Sequence, residues 1–411
     1  MNVLYARCAG VDVHKASISV CLLVPGPDGR PRKEVRTCAT TTAAVLECGD
    51  WLAAAGCTQV AMESTGVYWK PLWNLWEERF TLLLVNAQHV KALPGRKTDV
   101  RDCEWLADLL RHGLLRASFV PDRPQRELRE LTRYRAQLVG EHTAGVNRVQ
   151  KTLEGANIKL ATVATDIMGV SGRAMLRALA GGETDAAVLA NLAVGRLRSK
   201  LPELERALAG RFEAHQRFLI AEQLAHLDAI EASIERLTTE ISARLTADAQ
   251  ALERLDTIPG VGQRVAETVV AEIGTDLTRF PSAAHLVSWA GLCPGNNESA
   301  GKRRSGKTRK GNPSLRRTLI EAAQAAGRTK ETYLGAQYRR LAARRGSKKA
   351  AVAVAHSILV IIYCMLRDGT PYQDLGADYF LDRDRQGVKR RAIRHLETLG
   401  FQVTLQPLAA D

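Results

Sequence analysis

The sequence predicts an α/β domain followed by a mainly α remainder, and three observations predict it. Within the first 120 residues short apolar strands alternate with amphipathic helices. From about Pro121 to Leu255 apolar residues recur almost wholly at helical spacing, and Ile258-Pro259-Gly260-Val261-Gly262 then opens a second helical unit. These changes of pattern set the expected boundaries at 1–120, a helical middle over 121–254, a compact unit over 255–345, and a helix with a tail over 346–411.

In the first region, Cys8–Val13 and Ile18–Leu23 read as strands, Pro25-Gly26-Pro27-Asp28-Gly29 as a turn cluster, and Lys33–Thr37 as a third strand. Thr42–Ala55 has helical spacing through Val45, Leu46 and Leu52. Thr58–Met62 is a short strand, Tyr68–Arg79 a helix, Thr81–Asn86 a fully apolar strand, and Asp99–Arg111 a closing helix. Three strands followed by alternating helix and strand make a mixed sheet with helices packed on it. That order is the one found in the ribonuclease-H-like fold.

In the middle, Ile220, Leu227, Ile230, Ile234, Leu237 and Ile241 follow steps of three and four, apart from the gap that holds Gln223. One exposed helix cannot hide such a stripe, so it pairs either within the chain as a hairpin or between subunits as a coiled coil. The turn at Ile258–Gly262, before a helix from Arg264 to Ile273, has the form of the turn in helix-hairpin-helix modules. There the glycines let backbone N–H groups approach a phosphate, although such a turn can also simply join two helices. The most apolar stretch, Ala350–Leu366, is interrupted by His356 and Ser357, is short for a membrane span and follows a basic segment; a buried helix is expected.

A formal charge of +14 over 411 residues, with a pI near 9.6, favours a polyanionic partner, because Lys and Arg that neutralise phosphates release counterions. The N-terminus has no signal-peptide pattern. The eight cysteines form no Cys-x-x-Cys pair and suit reduced, apolar use, which points to the cytoplasm and away from a membrane.

The residues that carry chemistry come in two groups. Asp12 lies in the middle of an apolar strand, where a charge needs a partner or a metal, and Glu63 ends another strand. At 100° per residue, Asp99 and Asp102 share the helical arc of Leu106, Leu109 and Leu110, whereas Glu104 and Asp108 fall on the opposite, solvated side. Asp99 as an N-cap with Asp102 as a first-turn acid is the plainer reading of that pair. Four carboxylates together suit two Mg²⁺ ions, with Mn²⁺ as the alternative, acting on a phosphodiester. The second group is Ser299 and Ser305 in a Gly-rich loop, followed by Lys302, Arg303, Arg304, Lys307, Arg309, Lys310, Arg316 and Arg317 with no acid among them. Such a run fits a phosphate-binding loop, and a serine held there can attack a phosphodiester; chemistry alone does not separate the two serines.

Taken together, Gly10-Val11-Asp12-Val13-His14-Lys15, Met62-Glu63-Ser64-Thr65-Gly66, Lys97-Thr98-Asp99-Val100-Arg101-Asp102, Ile258-Pro259-Gly260-Val261-Gly262 and Ala290-Gly291-Leu292-Cys293-Pro294 with Glu298-Ser299 resemble one family. These are the DEDD transposases of bacterial insertion sequences, the insertion sequence one-ten family, over about residues 8–115 and 250–345. The resemblance implies a ribonuclease-H-like (RuvC-like) N-terminal domain in which Asp12, Glu63, Asp99 and Asp102 hold Mg²⁺, and a C-terminal transposase domain supplying Ser299 as a nucleophile that links covalently to DNA. It also implies a homo-oligomer, dimer or tetramer, with composite sites, and a structured guide RNA from the element. A nucleoid-associated protein of the bacterial cytoplasm follows. The stretch from about Gly155 to Leu201 is extra length in the middle, and the tail after Gly369 has no counterpart. Two rival readings are a RuvC-like endonuclease that uses water, and a non-catalytic nucleic-acid-binding protein with structural acids.

Overall fold

The computed structural model describes residues 2–27, 30–64, 66–86, 102–295 and 297–404; for Asn297, Ser299, Arg303, Arg304 and Val388 it describes the backbone alone. The chain divides into two compact units, Met1–Arg126 and Glu127–Asp411.

The first unit is built on a five-stranded sheet. Its strands are β1 (Cys8–Val13), β2 (Ser17–Pro25), β3 (Pro31–Ala39), β4 (Gln59–Glu63) and β5 (Thr81–Val85), in the spatial order β3-β2-β1-β4-β5. The β1–β2 and β2–β3 pairs are antiparallel, and β1–β4 and β4–β5 are parallel. β2 and β3 run past the segments expected of them, because their ladder continues from Ser17 opposite Ala39 to Pro25 opposite Pro31. β3 is a largely exposed edge carrying Lys33, Glu34 and Arg36, residue types that discourage further strand pairing.

Alternation along the strands sends each side chain to one of two cores. Ala9, Val11, Val13, Val20, Val60 and Met62 pack with α1 (Thr42–Ala54) and α2 (Trp69–Trp76). Cys8, Cys21, Leu23 and Ala61 face the other way and pack with Cys103, Ala107 and Leu110 of α3 (Asp102–Arg111). α3 sits close on the sheet because Gly10 has no side chain: a Cβ there would lie 2.2 Å from the Cys103 carbonyl oxygen. A mixed sheet with helices on both faces is compatible with a ribonuclease-H-like domain.

In the second unit the long helices α4 (Arg123–Gly155), whose first turn belongs to the first unit, and α9 (Ala214–Arg244) run antiparallel. Three pairings fix the direction: Glu127 with Arg244 at 2.8 Å, His142 with Glu231 at 2.7 Å, and Thr152 with Gln223. As one number rises the other falls. Ile220, Leu227, Ile230 and Ile241 are buried in this way, and Ile234 and Leu237 are half-buried. Much of the stripe is therefore covered within the chain, as in a hairpin.

Between these helices lies an excursion with its own core. It comprises α5 (Leu160–Val163), α6 (Val170–Ala180), α7 (Ala186–Asn191) and α8 (Leu201–Leu208), packed around Ile167, Met175, Leu176, Leu189 and Leu204. Its ends are tied together by Arg211 N–H donating to the Ala156 carbonyl and Lys159 N–H to that of Ala207. Closing a loop of this length adds only slowly to the entropy opposing folding, so the hairpin tolerates the extra chain.

After α9 come α10 (Ala249–Asp256), α11 (Gln263–Ile273), α12 (Ala283–Trp289), a two-stranded hairpin of β6 (Asn297–Ser299) and β7 (Lys302–Ser305), α13 (Pro313–Ala326), α14 (Tyr333–Arg345) and α15 (Ser347–Asp368). α15 is the one helix among the described residues long and apolar enough to cross a membrane, yet half of its apolar window is buried. Its Ala351, Val354, Ile358 and Ile362 are inside, against α12, α13 and α14. The buried-helix expectation holds. Beyond Gly369, α16 (Tyr379–Arg383) and α17 (Arg385–Thr398) follow, and Phe380 stacks on Tyr333 at 5.2 Å.

Candidate functional sites

The acid part forms at the carboxyl ends of two neighbouring parallel strands. Val11 pairs with Met62 and both strands run one residue further, which sets Asp12 of β1 beside Glu63 of β4, one strand spacing (about 4.8 Å) apart. Both alternate with residues that face α3, Gly10 and Ala61, so both project on that face. Asp12 is three-quarters buried, its carboxylate 23% exposed, and its Oδ2 lies 3.0 Å from His14 Nε2. His14 was not singled out from the sequence; its position two residues on, at the end of the strand, is the signal that could have found it. Asp12 also lies close enough to Cys103 to help raise that thiol's pKa, after burial and the charge of Glu104.

Helix α3 carries the third contribution. Asp102 is its first described residue and lies on the Leu106–Leu109 stripe, which packs with Val85, the cross-strand partner of Glu63. Asp102 itself is exposed, at the mouth of the helix and not within the core. Glu104 departs from the solvated position expected of it: it is 21% exposed and paired with Lys33 at 2.6 Å, because β3 brings that lysine within reach. Asp108 is exposed, as expected. Asp99 lies outside the described residues. Among the described residues no group of three His, Cys, Asp or Glu is close enough to hold a metal. The oxygen donors of Asp12 and Glu63, side by side at the carboxyl ends of two inner strands, nevertheless have the chemistry a hard divalent cation requires.

The serine part is a β-hairpin, where sequence reading expected a loop. Asn297 pairs with Ser305 and Ser299 with Lys302, leaving Ala300 and Gly301 as a two-residue turn. Both turn residues have positive φ, +50° and +71°, the geometry that matches the twist of the flanking strands. Ser299 thus stands next to the tip. Ser305 is at the base, where its Oγ accepts the Lys307 N–H at 3.1 Å. Lys302, Lys307, Arg309, Lys310 and Arg317 are exposed, whereas Arg316 is half-buried and donates Nη1 to the Gly291 carbonyl.

The hairpin is held at its foot by backbone lying directly on backbone. A Cβ at Gly311 would come within 2.3 Å of the Gly291 nitrogen, and one at Gly295 within 2.4 Å of the Lys307 carbonyl oxygen. Asn312 then ends the segment: Oδ1 caps α13 by accepting the Leu315 N–H at 3.1 Å, and Nδ2 donates to Glu272 Oε2 at 2.6 Å. Glu272 is fully buried on α11 and also accepts from Nε and Nη2 of Arg133 at 2.7 and 2.8 Å, with Arg129 Nε 3.3 Å away. Burial brings the Arg129 guanidinium down to about 10 even though Glu272 opposes the shift. None of Arg129, Arg133, Glu272 and Asn312 was identified from the sequence. An acid inside the apolar run Val269-Val270-Ala271-Glu272-Ile273 was the available signal.

The turn Ile258–Gly262 resolves into two different uses of glycine. Gly260 (φ +84°) is forced by packing, since its Cβ would lie 2.3 Å from the Ala322 carbonyl oxygen. Gly262 is the N-cap of α11 and has open space around it.

Known proteins match the regions that hold both parts. A family model of DEDD-type IS110 transposases matches residues 9–158, and the model of the IS116/IS110/IS902 transposase family matches residues 252–339. An uncharacterized protein of insertion element IS110 from Streptomyces coelicolor is 30% identical over 305 residues, which is 68% of this chain and 73% of that protein. The chain belongs to the IS110 family of transposases. It is similar to the transposase of insertion element IS1111A of Coxiella burnetii, with 28% identity covering 71% of this chain and 72% of the relative. An uncharacterized protein of insertion element IS116 from Streptomyces clavuligerus is 30% identical, covering 70% and 78%. Membership makes this chain a DNA transposase, and the DEDD family uses divalent metal in general. The two matched regions contain the acid part and the serine hairpin; the hairpin excursion and the aromatic tail fall outside both.

Proposed function

We propose that this transposase excises and inserts its element by strand cleavage and rejoining through Ser299, with Mg²⁺ at the acid part and a structured RNA as guide. The N-terminal unit is read as RuvC-like, with Asp12, Glu63, Asp99 and Asp102 as the metal-holding acids. A bound divalent ion there supplies a Lewis acid for the phosphodiester and a template for the attacking and leaving oxygens. The Ser299 hydroxyl oxygen attacks phosphorus, the bond to the 3′ oxygen breaks, and the leaving 3′ hydroxyl takes up a proton. A 5′-phosphoserine ester remains, and the 3′ hydroxyl of the joining strand later attacks it and restores the serine. Lys302, Arg303, Arg304, Lys307, Arg309, Lys310 and Arg317 hold the nucleic-acid backbone, and Arg316 helps through the loop it braces. Assembly as a dimer or tetramer at the bacterial nucleoid completes the reading.

The observation that favours Ser299 over Ser305 is the hairpin register: Ser299 is next to the tip, whereas Ser305 Oγ is already occupied as a turn acceptor. The test mixes the protein with element-end DNA, flanking-sequence RNA and Mg²⁺, and follows a protein–DNA adduct that survives denaturation. Ser299→Ala abolishes the adduct and Ser305→Ala retains it. Normal cutting and joining by Ser299→Ala would transfer the role to water and make the protein an endonuclease of the resolvase type. Full cleavage by Asp12→Ala would remove the metal site from the account.

A further inference from the structure

A cavity of about 400 Å³ lies within the second unit between α4, α11 and α13, and among its lining residues are Arg135, Gly140, Arg264, Thr268, Arg317 and Glu321. Arg264 and Arg317 meet Glu321 there, and Arg135 is paired with the buried Glu267. Arg135 is 4% exposed, and its Nη2 lies 2.6 Å from the buried Glu267, but its other terminal nitrogen, Nη1, is buried with no hydrogen-bond partner. Glu267 Oε2 is likewise buried without a hydrogen bond, and a buried polar group in that condition is destabilising, so Nη1 is open to an acceptor from the cavity. The first turn of α11 borders the same cavity through Arg264 and Val265, and its N-cap, Gly262, supplies no side-chain acceptor. The positive end of the helix therefore adds to the arginines. Gly140 lies inside the 33-residue helix α4, where glycine is about 1 kcal/mol worse than alanine. A Cβ at Gly140 would meet nothing within 4 Å, so packing does not demand the glycine. Its effect is to keep that wall of the cavity low.

We infer that this cavity binds a backbone phosphate of nucleic acid, held by Arg264, Arg317 and the N-terminal end of α11 beside the unpartnered Nη1 of Arg135. The volume exceeds that of a bare phosphate and admits the attached sugar. The inference rests on the nucleic-acid partner proposed above, but the site is separate from the Ser299 hairpin tip.

The test uses the full chain and measures binding of element-end DNA across a salt series. Arg264→Gln is expected to lower the slope of log affinity against log salt by about 0.9, the value of one lost phosphate contact. Arg135→Gln leaves Glu267 buried without its partner and can unfold the unit, so Gly140→Glu is the decisive variant. It replaces a poor helix former and points a carboxylate into the cavity, so the melting temperature holds or rises while DNA binding weakens about tenfold, a 1.4 kcal/mol effect. Gly140→Gln weakens it less, and Glu321→Gln strengthens it. An unchanged slope in Arg264→Gln together with unchanged binding in Gly140→Glu would overturn the inference, and the Ser299 adduct would be unaffected. A missing adduct in the wild type with the slope loss intact would overturn the nucleophile reading instead. If inorganic phosphate stabilises the wild type and not Arg264→Gln while DNA slopes stay equal, the cavity takes free anions and the nucleic-acid assignment is wrong.

Discussion

The strand ends that carry Asp12 and Glu63 and the serine hairpin position their functional groups by different physical means. Asp12 and Glu63 are placed by backbone register: two parallel strands in step bring two carboxylates side by side, and no buried charge network is needed. The hairpin has only a three-residue strand facing a four-residue one, so its own ladder is weak. It is steadied from below by glycine contacts and by Glu272, whose carboxylate joins α4, α11 and the N-cap of α13. An acid at a strand end can therefore be changed with the fold intact, whereas the residues that carry the hairpin cannot.

Variants can break that contrast in order of effect. Asp12→Asn is expected to lower strand cleavage by about a thousandfold, the equivalent of about 4 kcal/mol of lost charge stabilisation, with no fall in melting temperature. A large loss of stability would show that Asp12 is structural. Glu272→Ala, by contrast, removes the partner of the buried Arg129 guanidinium and should destabilise the second unit by about 3–5 kcal/mol in chemical denaturation. Gly311→Ala drives a methyl group into the Gly291 backbone and should cost about 1–3 kcal/mol, with loss of the hairpin's function.

Alkaline pH also acts on the first unit. Burial pushes the thiols of Cys8, Cys21 and Cys48 up to about 12 and that of Cys57 to about 11, against 9 in the unfolded chain. Above pH 9 the unfolded state releases these protons first, so the stability they contribute is present below pH 9 and is lost as pH rises toward 11–12. The first unit should show this fall in its denaturation midpoint, and Cys48→Ala should flatten it. Smallest is Ala300→Gly, which removes the strain of a left-handed alanine and should raise stability by up to about 1 kcal/mol.

What was legible in the sequence follows the same division. The strands were legible as short apolar runs, which are local, whereas the adjacency of Asp12 and Glu63 comes from the pairing of β1 with β4, about 50 residues on. The stripe from Ile220 to Ile241 announced a partner helix but not its identity, since α4 lies far back in the chain. Helical arcs placed Asp102 correctly beside Leu106, yet a position on an arc does not make the first turn of a helix buried. Glu104 was misplaced because its lysine comes from a distant edge strand. The hairpin was hidden because Ala300 occupies a conformation usually given to glycine or asparagine, and Glu272 because its partners are about 40 and 140 residues away.

The most direct test of the account is to map, by peptide mass spectrometry, the residue esterified to DNA in the trapped complex. A phosphodeoxynucleotide on the peptide containing Ser299 is the predicted result. The same mass on Ser305, or cleaved DNA with no modified serine anywhere in the chain, would contradict it.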